Sequence, residues 1–481
     1  MDVSSVLPVS YFPSKLVTTH TNLAGEKINN TRIYNLPFDV TDIDGFSINI
    51  DLLNKAFEFL KQAGATIDEN SKIYQYALQH KDLGNQIPSN SLINYLKIKD
   101  DTNLKGYIIN DATFNGIESL FDLARKLKSI LEFDKSKVET SDQIDDLAIF
   151  TIDERDDAFL KVLNNKLLGK RIWQLQKTND KYDFSKVKYN LEDSDIKKAF
   201  IDTFNEFVAL NHNEYLNNAV FQDIKFENQM DEWSSWALRD YKAIFSFVAN
   251  VGYEQSMDSP ISRFFYLSKD DKEKYKKWAQ KDDIYLQEQL TKNRANDAFS
   301  TYIEGGSNLI PISIDNGGKQ DNATLLFLKW LYQGNVNYNG EYIKVTDLLA
   351  QKTGYIIPQK SQIESASDWY VQRQTILTNK LKLLKNQLKT NSNNSDEIQK
   401  QIDKLSTESN YLYAADTTFK GLKNFENSKN EDIFWVPIDQ TTSAIVEKIR
   451  SLLLDSTLKK NPKIITGEQA YQIILNMIKN S

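Results

Sequence analysis

The chain has 481 residues, 40% of them apolar, with 25 Phe and 23 Tyr, which is too long for one compact core and too aromatic for a disordered polymer. Its formal charge of -7, with lysines and arginines interspersed among acids, excludes the basic surface that nucleic acid requires. It contains no cysteine, so disulfides, thiol nucleophiles, thiolate metal sites and an acylated cysteine are all excluded within it.

No run of about 18 apolar residues occurs, and Met1 to Ala24 lacks the basic start and apolar centre of a signal peptide. Lys, Asn, Ile, Asp and Tyr are abundant and Gly and Pro scarce, a bias of AT-rich coding sequence. Residues 1–35 carry turn formers without a helix period and lead to Leu36-Pro37-Phe38 and the acids Asp39, Asp42 and Asp44. Gly45 to Ile50 alternates like a strand, and Leu52 to Ala63 places Leu52, Leu53, Ala56, Phe57 and Leu60 on one helical face, stopped by Gly64.

Gly116 to Leu131 reads as a second amphipathic helix, Asp146 to Ile152 as a strand buried on both sides, and Asp195 to Asn211 as a helix capped by Asp193 or Ser194. Tyr241 to Val251 then reads as a strand, so strands and helices alternate as in an α/β layer. Asp271 to Arg294 is charged and helical in pattern; Gly305-Gly306 breaks the chain before the apolar segment Leu309 to Ile314. Helices follow over Asn322 to Tyr332, stopped by Gly334, and Val345 to Lys352, stopped by Gly354. From Asp368 to Glu408 apolar residues recur at helical spacing around a polar turn at Thr390 to Ser395, the pattern of a projecting helical hairpin. Two helices close the chain, Thr442 to Leu454 and Thr466 to Ile478, the second opened by a Thr466/Gln469 capping box.

The chemistry of catalysis has little to work with. Only His20, His80 and His212 are available as imidazole bases, and none falls in a nucleophile elbow, a His-Glu-x-x-His helix or a zinc spacing. Phosphate-binding and dinucleotide-binding glycine motifs are absent, and the Asp39/Asp42/Asp44 cluster lacks the glycine and closing glutamate of an EF-hand, so it reads as a turn with an Asx cap. No catalytic residue, metal ligand or cofactor is expected. The informative residues are aromatic: Trp173, Trp233, Trp236, Tyr253, Tyr302 and Trp369 fall in or beside expected loops and element ends, where a flat ring can stack on a ligand. Core packing is the competing reading for each of them. Trp330, inside an amphipathic helix, reads as core, and Trp278, among lysines, as a cover on the surface.

Several segments in this order resemble the extracellular solute-binding proteins of ABC importers, the maltose-binding-like family 1. Leu36-Pro37-Phe38 followed by Gly45 to Leu53 is similar to that family's crossover strand, and Gly116 to Leu127 to the helix after it. Trp233 to Tyr253 resembles the segment that returns the chain to the first lobe, although Arg239-Asp240-Tyr241-Lys242 stands where the family has Asn-Gly-Lys. Gly305 to Ile314, Phe327-Leu328-Lys329-Trp330-Leu331, Thr353 to Pro358 and Thr466 to Tyr471 look like the family's later landmarks, and the wording at the start resembles especially mycoplasma surface lipoproteins of this type.

The resemblance implies an α/β, two-lobed periplasmic-binding-protein-like fold (type II) with an inserted helical hairpin. Residues 1–43 and 255–350 would form a partial first lobe; 44–254 and 351–481 would form the second, with the hairpin at 368–408. The family has further βα units before its Leu-Pro-Phe crossover, so the first lobe is expected to be incomplete and the chain to be a truncated form. The resemblance also implies capture of a small polar solute, a sugar preferred, for ABC-transporter membrane subunits at the extracellular face of a cell membrane, with a lipid anchor in the full-length protein. Asp42, Trp173, Trp233, Trp236, Tyr253, Ser307 and Asn308 would contact the ligand. The alternative is an adhesin or antigen that keeps this scaffold and binds host surface molecules through the hairpin.

Overall fold

The computed structural model describes residues 36–39, 44–81, 83–138, 144–178, 181–210, 221–226, 233–257, 277–303, 307–309, 312–390, 394–427, 431–434, 436, 439–458 and 462–480. In chain order, β1 (Leu36–Asp39) and β2 (Asp44–Asn49) precede α1 (Ile50–Gln62), and α2 (Ile117–Ile130) precedes β3 (Leu147–Ile152) and α3 (Arg155–Lys166). The strands β4 (Trp173–Thr178) and β5 (Lys181–Tyr189) are followed by α4 (Ser194–Ala209), β6 (Phe221–Phe226), α5 (Ser234–Arg239), β7 (Ala243–Ala249) and α6 (Gly252–Ser256). Next come β8 (Ile284–Gln287), β9 (Ser300–Ile303), β10 (Ser307–Leu309), α7 (Lys319–Gln333), β11 (Asn335–Tyr338), β12 (Glu341–Lys344) and α8 (Val345–Thr353). The long helices α9 (Lys360–Thr390) and α10 (Ser395–Asn427), the strand β13 (Glu431–Phe434), α11 (Gln440–Thr457) and α12 (Gly467–Lys479) complete the chain.

These elements divide into two compact units. One takes the described parts of Met1–Ile43, Ala249–Lys269 and Glu304–Lys429; the other takes those of Asp44–Val248, Asp270–Ile303 and Asn430–Ser481. The expected boundaries therefore move. Residues 277–303 go with the larger unit because β8 pairs with β2 and β9 with β13, and the hairpin and the segment from Gly354 to it go with the smaller one because α10 packs on α6 and α8.

The larger unit is built on a five-stranded sheet in the order β6-β3-β7-β2-β8. β6 and β7 both run parallel to β3, with Phe150 opposite Ile224 on one side and Phe245 on the other. β3 reads Leu-Ala-Ile-Phe-Thr-Ile and is buried at every position, as a strand covered on both faces must be. The aromatic centre of the sheet joins Phe46, Phe150, Phe245 and Phe247, with ring centroids 5.2–5.8 Å apart. The helix α1 starts on a side-chain cap in which Asn49 accepts the Leu52 N–H at 3.0 Å, while the Asn49 amide donates to the Leu238 carbonyl at 2.9 Å. The capping box of α12 is present, Thr466 taking the Gln469 N–H and Gln469 taking the Thr466 N–H.

The expected helix over Asp271 to Arg294 is not what forms among its described residues: Ile284–Gln287 is the edge strand β8, antiparallel to β2. Alternation decides this, since Ile284 and Leu286 turn toward the core and a helix would scatter them. Trp278 is likewise buried rather than a surface cover, because the Arg239 guanidinium lies 3.8 Å over its ring.

In the smaller unit β1 pairs antiparallel with β10, and Leu36 joins Leu328, Leu331, Tyr332, Val345 and Ile357 in one apolar cluster. The helix α8 ends at Gly354, whose φ of 74° is the left-handed stop that its sequence position suggests. The helices α9 and α10 form an antiparallel pair, Gln374 bonding Ser409 at 2.7 Å and Trp369 meeting Phe419 at 6.2 Å. Glu408 fastens α10 to the body: it pairs with Lys352 and accepts from Gln351 at 2.6 Å. Trp330 departs from its expected core position and is 44% exposed on α7.

Candidate functional site

Parallel strands deliver their C-terminal ends to one edge of a sheet, where loops and helix starts can converge on a ligand. In the larger unit that edge is marked by β3 ending at Ile152, followed at once by Asp153-Glu154-Arg155-Asp156-Asp157 and α3. Asp153 is buried and held at both ends. Its N–H donates to the Phe247 carbonyl at 3.2 Å, and its carboxylate accepts the Ser234 N–H at 3.1 Å. Below it the hydroxyls of Thr151 and Ser246, in register on β3 and β7, meet at 2.5 Å, and Ser246 also donates to the Ser234 carbonyl at 3.3 Å. This ladder of polar groups fixes the start of α5 against the sheet edge.

Trp233 stands immediately before Ser234 and keeps 47% of its surface exposed. The exposed indole offers a flat apolar face, and the buried Asp153 carboxylate holds the backbone next to it through the Ser234 N–H. Trp236, on the same helix, is half-buried, and its ring lies 5.6 Å from the Arg239 guanidinium.

The turn after β3 is acidic but compensated. Arg450, from α11, donates to Asp156 at 2.8 Å and pairs with Glu154, while Arg155 donates to the Arg450 carbonyl at 2.8 Å and lies 5.8 Å from the Phe226 ring. Asp157 is pushed up to about 7, chiefly by burial of its carboxyl and then by the charges of Asp156 and Glu154, against the opposing pull of Lys161 and Arg450.

The other expected contacts are dispersed. Trp173 is the first residue of β4, opposite Tyr189, and at 1% exposure it has no face to offer, so for this residue packing is the reading that stands. Tyr253, on α6 in the smaller unit, is also buried, edge-on to Tyr413 at 5.4 Å. Ser307 is exposed on β10, and Asn308 lies opposite Pro37 in the β1–β10 pair. Asp42 lies outside the described residues. Tyr302 is buried and Trp369 half-buried. Asp153 and Ser234 carry no motif that marks them in the sequence; the one signal there is a strand of apolar residues followed directly by the run of acids at 153–157.

His80 stacks on Tyr76 at 3.8 Å, its Nδ1 lying 2.8 Å from the Tyr76 carbonyl, a local helix contact; His20 and His212 lie outside the described residues. Among the described residues no group of three or more His, Cys, Asp or Glu is placed to hold a metal ion, and no helix is long and apolar enough to cross a membrane.

No family model matches this chain, and no curated protein matches it. Among solved structures it is similar to a Streptococcus pneumoniae solute-binding protein in complex with the blood group A-trisaccharide, at 11% identity and a TM-score of 0.42, over 99% of this chain and 80% of that one. A superposition of that quality transfers no residue role.

Proposed function

We propose that this chain captures a small polar solute, with carbohydrate the preferred class, at the sheet edge formed by Asp153, Ser234 and Trp233. The observation that carries this reading is the exposed indole of Trp233 set one residue ahead of the backbone amide that fixes a buried carboxylate. Stacking on the exposed indole would supply affinity, and the buried Asp153–Ser234 pair would hold Trp233 in place for it. The order of sequence landmarks supports a place for the chain among the two-lobed, type II solute-binding proteins of ABC importers, delivering its ligand to membrane subunits at the outer face of the cell. In this reading it is a binding protein and not an enzyme.

Titrating intrinsic tryptophan fluorescence with neutral sugars, glycerol phosphates, peptides and nucleosides tests the proposal. A saturable response that Trp233→Phe and Asp153→Asn each weaken supports it; silence across every class removes it. A second reading, a surface adhesin, is favoured by one observation: α9 and α10 are 31 and 33 residues long, and their distal halves are largely exposed. Replacing residues 378–404 by a short turn would abolish host-cell binding under that reading and leave solute binding intact.

A further inference from the structure

We draw no further inference here: the strongest candidate, the exposed apolar side of α7 at Leu326, Phe327 and Trp330, is a surface patch for which nothing in the structure shows what covers it.

Discussion

Replacing Asp157 by Asn should stabilise the protein at alkaline pH and do little at acid pH. In the unfolded chain an Asp titrates near 3.8, whereas burial and the neighbouring carboxylates push Asp157 up to about 7 in the folded protein. Between those values the folded chain retains a proton that the unfolded chain has released. Stability therefore falls as pH rises through this window, and above about 7 the full penalty is present. The interval corresponds to at most ~4 kcal/mol, and the nearby Lys161 and Arg450, with the residual exposure of Asp157, bring the expectation to about 1–3 kcal/mol. Asparagine has the same shape and cannot ionise, so it removes the penalty. Urea unfolding followed by far-UV circular dichroism should show the variant more stable by about that amount at pH 8, and within about 0.5 kcal/mol of wild type at pH 3.5. A variant less stable at pH 8 would mean that the carboxylate is ionised and well paired, and one equally stabilised at both pH values would mean that its titration is not the cause; either would refute the argument.

Two further outcomes follow from packing in the larger unit. Gly84 has a φ of 68°, and a Cβ there would come within 1.9 Å of the Asp283 carboxylate, which is fully buried and accepts from Asn85, Gln280 and Tyr241. Gly84→Ala should therefore cost about 2–4 kcal/mol in chemical denaturation; a loss below about 0.5 would mean that this turn is looser than described. Trp173→Ala should cost about 3–5 kcal/mol, whereas Trp233→Ala should cost under about 1 while abolishing the ligand-induced fluorescence change; equal costs would contradict the different burial of the two rings.

The contrast between tryptophans also shows what sequence could and could not disclose. Local signals were reliable where local forces decide. The strand over Leu147–Ile152, the helix closed at Gly354 and the Thr466/Gln469 box all depend on neighbours within a few residues, and each is found where periodicity or capping put it. Side-chain fate is decided at a distance. Trp278 looks like a surface residue among lysines, yet a guanidinium thirty-nine positions earlier covers it; Trp330 looks like core, yet the described residues of its unit enclose the Leu328/Leu331/Tyr332 side of its helix and leave Trp330 exposed. Periodicity detects an apolar face and says nothing about whether anything lies against it. The same limit hid Asp153, whose role comes from the Ser234 amide eighty-one residues away and not from the acids beside it.

The charge around Asp153 argues for one ligand class over another. Asp153, Glu154, Asp156 and Asp157 surround the turn, while Arg450 is committed to Glu154 and Asp156, and Arg155 is buried with its guanidinium near Phe226. An incoming phosphate or carboxylate would find Arg450 and Arg155 already engaged with protein groups, and so would gain no new cation partner at the turn. Under the proposed function a neutral sugar needs no such cation and would bind by stacking on the exposed Trp233 ring. Competition between a neutral hexose oligomer and its phosphorylated analogue, read by Trp233 fluorescence, should favour the neutral ligand several-fold. Tighter binding of the phosphorylated sugar would show that a cation, not stacking on Trp233, dominates recognition, and the site would have to be sought away from the β3–α3 turn.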